Sequence, residues 1–120
     1  MRIATLPPNE ELRLQDLYSY DILDSHSDNS FDELLEVAAS IYGCPIAAIS
    51  FVDKERQWFK SKVGLPGTLN STSRDVSFCA HAILSEDVLI VEDTTKDDRF
   101  NKNPFTTNEP GIRFYAGAPI

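Results

Sequence analysis

The residues of this chain best suited to chemistry lie in SFCAHAIL, residues 77–84, where Cys79 and His81 stand two positions apart in a sequence with two cysteines and two histidines. A thiol beside an imidazole can serve as nucleophile and base, or as half of a metal site. Local structure decides between these uses. On a helix capped by Ser77 the two side chains diverge by about 200° around the axis and cannot face each other. On an extended segment both would project from one face. The helical reading sets Cys79 beside Ala82 and Ile83, where a free thiol packs as a small hydrophobe, and sets Phe78 beside His81. It also puts Cys79 in a first helical turn, where the dipole favours the thiolate. His81 next to an aromatic ring reads as a hydrogen-bonded structural residue. His26, in the polar stretch DSHSDNS, reads as exposed.

Three other stretches invite a functional reading and fit it poorly. Cys44 and Cys79 lack the second CxxC or HxxxH that would complete a four-ligand zinc site. EDTTKDDRF gathers acids, but it has neither the glycine of a calcium loop's sharp turn nor the closing glutamate, so it reads as a solvated loop capped by Thr95. GLPG has two glycines without the strand-to-helix context of a phosphate cradle. Trp58 and Phe59 read as core or half-buried sheet.

At 120 residues the chain makes one domain with a single modest core. An apolar fraction of 42% and twelve aromatic residues belong to a folded protein, while a net charge of −8 disfavours nucleic acid and anionic membrane as partners. The N-terminal MRIATLPPNEELRLQ lacks the apolar core of a signal peptide, and no later run approaches a membrane span. These features point to the cytoplasm, with both cysteines reduced.

The elements that must position these residues follow from pattern. Residues 1–8 read as an N-terminal extension. Asn9 is placed to cap a helix with Glu10 and Glu11 in its first turn and Leu14, Leu17 and Tyr18 at helical spacing. Ser30 and Glu33 have the spacing of a capping box, Phe31, Leu34, Leu35, Ala38 and Ile41 form one stripe, and Gly43 stands where a helix-ending glycine belongs. IAAISFVD and QWFKSKVG, joined by DKER, predict a β-hairpin whose second strand sets Trp58, Lys60 and Lys62 on one face against Phe59, Ser61 and Val63. VLIVED predicts a further strand. IRFYAGAPI alternates Phe114, Ala116 and Ala118 against Arg113, Tyr115 and Gly117 and predicts another. Helices thus precede and interrupt an antiparallel sheet, an α+β layout.

The succession NEELRLQDLYSYDILD, FDELLEVAASIYGCPIAAISFVDKERQWFKSKVGL, SFCAHAIL, VLIVEDTTKDDRFNKNPF and IRFYAGAPI resembles a GAF domain. It is similar in particular to the GAF domains near the N-terminus of bacterial sensor proteins, ahead of diguanylate cyclase or histidine kinase output domains. The likeness runs from about Asn9 to Ile120. It implies a small-molecule sensing or regulatory module without catalysis of its own, in a GAF/PAS-like fold of helices packed on an antiparallel sheet. It further implies a pocket with candidate ligand-binding residues Phe51, Trp58, Phe78, Cys79, His81, Asp93, Arg99, Phe100, Arg113 and Tyr115. The ligand and any cofactor are left unspecified; mixed aromatics with Arg, His and Asp suit a small polar or heterocyclic molecule.

Domains of this kind continue past FYAGAPI with another strand and a final helix, so the resemblance implies a single, incomplete GAF domain over residues 1–120. The strand that follows would lie between the first and last strands present here. Unpaired edges there would lead the chain either to pair its strands differently or to associate as a homodimer or edge-linked oligomer. A C-terminal output domain in a longer chain is the expected partner. Two alternatives stand beside this reading. One is a free methionine sulfoxide reductase-type GAF enzyme using Cys79, although the position of Cys44 does not match that branch. The other is a structural dimerisation module whose contact is Leu14, Leu17 and Tyr18. A bilin-binding photosensor is a third form of the sensor reading.

Overall fold

A computed structural model describes all 120 residues, as helices on either side of two small antiparallel sheets. The first helix, α1 (Glu10–Ser19), begins after Pro7 and Pro8. Asn9 precedes it but its side chain makes no capping bond, contrary to the sequence expectation; the Glu10 amide instead bonds the Pro7 carbonyl at 3.1 Å. Helix α2 (Asn29–Tyr42) starts two residues earlier than a Ser30 capping box requires. Its cap is Asp28, whose carboxylate accepts the Ser30 amide at 2.8 Å. An aspartate at this position also answers the positive end of the helix dipole. Gly43 closes α2 at φ 63°, a left-handed conformation that glycine adopts without cost.

The α2 stripe divides in a way its sequence did not announce. Leu35 and Ala39 are buried, whereas Leu34 is 64% and Ile41 73% exposed. Leu34 stands about 100° from Leu35 around the axis, so the arc pressed onto the sheet carries Leu35 and leaves Leu34 on the shoulder.

Strands β1 (Ala47–Val52) and β2 (Arg56–Val63) form the expected hairpin, and β3 (Ser71–Ser73) extends it on the far side of β2. Between Ile49 and Ser50 the register shifts: Ile49 pairs Ser61 but Ser50 pairs Phe59. Lys60 is the extra residue of a β-bulge. The bulge breaks the continuous alternation expected for Trp58, Lys60 and Lys62, because Lys60 and Ser61 both turn toward α2. Lys60 Nζ lies 5.5 Å from the centre of the Phe31 ring, and the Ser61 hydroxyl bonds Asp32. Desolvation of the buried lysine is offset by the Ser25 hydroxyl at 2.9 Å and the His26 carbonyl at 2.5 Å.

Beyond β3 a 3₁₀ turn (Arg74–Val76) leads into α3 (Cys79–Ala82), then β4 (Leu89–Val91), a second 3₁₀ turn (Thr94–Lys96), α4 (Pro104–Thr107) and β5 (Tyr115–Gly117). Strands β4 and β5 pair antiparallel as a separate sheet. The strands thus form two antiparallel sheets, and β1 and β5, between which the sequence analysis placed a further strand, make no ladder with each other. The smaller sheet covers a core of Phe78, Val91 and Phe100, with Leu89, Phe105, Ile112 and Tyr115 packed around it. Phe100 is 0% exposed, and its ring stands 4.5 Å from that of Phe78. Thr95 is not the cap of this loop: Asp93 is, its carboxylate accepting the Thr95 amide at 3.0 Å. No helix of the chain is long and apolar enough to cross a membrane.

Polar anchors fasten α1 to the rest. Arg13 donates to the Val52 carbonyl at 2.6 Å, and Glu10 accepts from Arg13 and from the buried guanidinium of Arg74. The Arg74 hydrogen bonds, against the opposing pull of burial, hold the Glu10 carboxyl at about 2 rather than 4.5. A carboxylate depressed in the folded state stabilises it above its unfolded pKa and loses that contribution as pH falls through its folded value. Glu10→Gln is therefore expected to cost about 2 kcal/mol at neutral pH. In urea unfolding the difference from the parent should shrink between about pH 5 and 2. A pH-independent difference would contradict the ion-pair account.

Candidate functional site

Gln57 and Ser50 are the residues around which the chemistry converges, and neither stood out in the sequence. They occupy the hairpin face opposite α2. Side chains alternate across a strand, so the face that carries Ser50 and Gln57 excludes Phe51 and Trp58, which form a cross-strand pair directed to the α2 side. Gln57 is 7% exposed, and a buried amide needs all its hydrogen-bonding groups answered. Its carbonyl accepts the Ser77 hydroxyl at 2.6 Å, while its amide nitrogen donates to Ser50 Oγ at 2.8 Å and to Cys79 Sγ at 3.1 Å. Ser77 in turn accepts the Ala80 amide at 3.1 Å, the capping bond predicted for it.

Cys79 completes the cluster. Its sulfur lies 3.7 Å from the Ser50 hydroxyl and 3.2 Å from Tyr115 Oη. The expectation that this thiol packs purely as a hydrophobe is corrected here: three polar groups surround it. Tyr115 reaches it from β5 because Gly117, two residues on and on the same face, has no side chain; a Cβ there would strike the Tyr115 ring. The ring also stands edge-on to Phe78, at 5.3 Å and 89°. Burial, then the neighbouring Cys79, push the Tyr115 hydroxyl well above its ordinary pKa of 10. It stays protonated and can donate to sulfur.

His81 leaves α3 in a different direction from Cys79, as helical spacing predicted. Its Nε2 is 3.0 Å from the Arg2 carbonyl, which can only accept, so Nε2 carries the proton. Its ring packs edge-on against Phe100 at 4.9 Å. Burial pulls His81 below its ordinary pKa, the Arg2 carbonyl opposes this, and the Arg99 charge adds to the downward pull.

The ten residues singled out from sequence therefore fall into separate places. Cys79 and Tyr115 meet, with Phe78 beside them. His81, Phe100 and Arg99 adjoin on the other side of α3, where Arg99 pairs with Asp97 at 2.8 Å and lies over the Phe100 ring at 5.1 Å. Asp93 is spent on its capping bond. Arg113 donates to the Thr106 carbonyl at 2.5 Å, and its own carbonyl accepts the Thr94 amide at 2.8 Å. Phe51 and Trp58 lie across the sheet from Cys79. Cys44 is exposed at the α2–β1 junction, and both cysteines are free thiols.

The helix-flanked hairpin, the short helix α3 and the final strand recur as one sequence pattern in known proteins: a GAF domain profile matches residues 27–120. The chain belongs to the GAF domain family. Over all 120 residues it is 44% identical to a curated cyclic di-GMP phosphodiesterase of Pseudomonas aeruginosa, and it spans 20% of that relative. The matched GAF region begins after α1 and takes in the whole Cys79 cluster.

The cluster makes a quantitative prediction. Tyr115→Phe removes one hydrogen bond to sulfur and should cost about 1 kcal/mol, whereas Cys79→Ala leaves a buried hydroxyl without a partner and should cost about 2 kcal/mol. The double variant is expected to fall short of their sum by about 1 kcal/mol in urea unfolding. Strict additivity would show that the two groups do not interact.

Proposed function

We propose that residues 1–120 are the GAF regulatory unit of a longer signalling protein that acts on cyclic di-GMP, and that the unit senses a small molecule and performs no catalysis of its own. The observation that carries this reading is the 44% identity running the full length of the chain onto one fifth of a phosphodiesterase. A segment of that share, retained as a unit beside a much larger remainder, is what a regulatory module looks like in sequence.

The place where a signal would enter is the Cys79 cluster. It joins β1 and β2, through Ser50 and Gln57, to β5, through Tyr115, so a ligand that competes for any of these hydrogen bonds shifts one sheet against the other. Output would pass from the two sheets to the remainder of the longer protein, in the cytoplasm, with a homodimer as the working form. An unidentified polar or heterocyclic molecule suits the mixture of thiol, phenol and amide.

A chimera tests this. Substituting the chain for the corresponding fifth of the Pseudomonas phosphodiesterase should preserve hydrolysis of cyclic di-GMP, while the 120-residue chain alone should hydrolyse none. Introducing Tyr115→Phe into the chimera should change its rate by about threefold or more, since about 1 kcal/mol of the sheet-to-sheet join is altered. Hydrolysis by the isolated chain would overturn the reading. So would a chimera whose rate ignores Tyr115→Phe and Cys79→Ala.

A further inference from the structure

The face of α3 directed away from Cys79 borders a groove of about 460 Å³, whose opposite wall is the N-terminal segment of residues 2–5. That volume falls within the range of small-molecule sites. The sequence marked this segment only as an extension. Backbone bonds fasten it: the Arg2 amide donates to the Arg99 carbonyl at 3.2 Å, and the Arg2 carbonyl accepts from His81 at 3.0 Å. These two bonds gather Arg2, His81 and Arg99 at one end of the groove. The other lining is mostly apolar and includes Ile3, Leu84 and Leu89.

Charge at the polar end is unbalanced. Arg99 is matched by Asp97 through two hydrogen bonds, at 3.0 and 2.8 Å. The Arg2 guanidinium enters no ion pair and no side-chain hydrogen bond, in a chain whose net charge is −8. The unmatched Arg2 guanidinium attracts an anion, and Arg99 Nη1, which Asp97 leaves without a bond, is a second donor beside it. Asp87 is the one acid on the lining, and it repels a negative head group from the turn between α3 and β4.

We propose that this groove binds a small carboxylate with a short aliphatic body, the carboxylate held at Arg2 and Arg99 and the body laid against Ile3, Leu84 and Leu89. The N-terminal segment is one wall of the site, so occupancy fastens it to α3. The groove includes neither Cys79 nor Tyr115, and its ligand is independent of the outcome of the chimera experiment.

Octanoate is the probe. Titrated into the isotope-labelled chain, it should give saturable backbone amide shifts at Ile3, Ala4, His81, Leu84 and Leu89. Octanol, with the body but no charge, and acetate, with the charge but no body, should each bind at least about tenfold more weakly. Arg2→Glu should weaken octanoate by about tenfold or more with the remaining spectrum unchanged, and Arg2→Gln by less. Leu84→Asn probes the apolar wall separately, with a weakening of about threefold or more. Absence of shifts at these amides, equal binding of octanol, or unchanged affinity in the Arg2 variants would each overturn the proposal.

Discussion

A buried amide cannot be left half-satisfied, and the demands of the Gln57 side chain organise the middle of this molecule. Its carbonyl needs a donor and its nitrogen needs acceptors, in a place where water does not reach. Ser77 supplies the first, and Ser50 and Cys79 supply the second. Each comes from a different stretch: Ser50 from β1, Ser77 from the approach to α3, Cys79 from α3 itself. Replacing Gln57 by a residue of similar size without these groups would leave three partners unanswered. The amide therefore locks the position of α3 on the hairpin, and α3 in turn decides where Phe78 enters the second core.

The division of the strands into two sheets gives this lock its significance. With no ladder between β1 and β5, the halves are held together by side chains, by the connecting segment and by the backbone bond of Arg2 to Arg99. On the hairpin side the apolar packing is Leu17, Leu35, Ala39, Val52 and Trp58; on the other it is Phe78, Val91 and Phe100. Between them lies the thiol, the phenol and the amide. Polar contacts of this kind contribute only about 1 kcal/mol each to net stability, whereas leaving one unmade costs more. A joint built from them is cheap to rearrange when a ligand offers equivalent hydrogen bonds, and resistant to rearrangement when none is present.

Much of this was legible in the sequence, and the exceptions have physical reasons. The hairpin, the end of α2 at Gly43 and the divergence of Cys79 from His81 followed from local periodicity and capping chemistry. The choice of face did not. Phe51 and Trp58 are the conspicuous residues of the hairpin, but strand parity alone cannot say which face meets α3, and the answer picked Ser50 and Gln57 instead. The bulge at Lys60 was hidden because the alternation of Trp58, Lys60 and Lys62 looks regular, and only the pairing shows an unmatched residue. The split stripe of α2 has a similar cause, since an apolar arc wider than its contact with the sheet leaves its edge uncovered. Arg2 and Ile3 carried no signal at all, because their place beside His81 and Arg99 comes from backbone hydrogen bonds that no pattern of side chains announces.

The identity of residue 79 follows from the distances around it. Gln57, Tyr115 and Ser50 approach the sulfur at 3.1, 3.2 and 3.7 Å. A hydroxyl oxygen would need its oxygen partners at about 2.5–3.0 Å, and it could draw in one or two of these groups only by pulling the strands out of register. Sulfur is larger and softer, and accepts weaker bonds over a longer range. It can span a gap between two sheets that an oxygen would have to close. The same size lets the thiol fill the space beside Phe78 while its lone pairs meet the polar groups, so packing and hydrogen bonding are satisfied by one atom. A serine here could accept from the Gln57 nitrogen but would reach neither Tyr115 nor Ser50 at these separations, and an alanine would leave Tyr115 buried with its hydroxyl unanswered. The cysteine is thus accounted for by the geometry of the joint, before any reactivity is assigned to it.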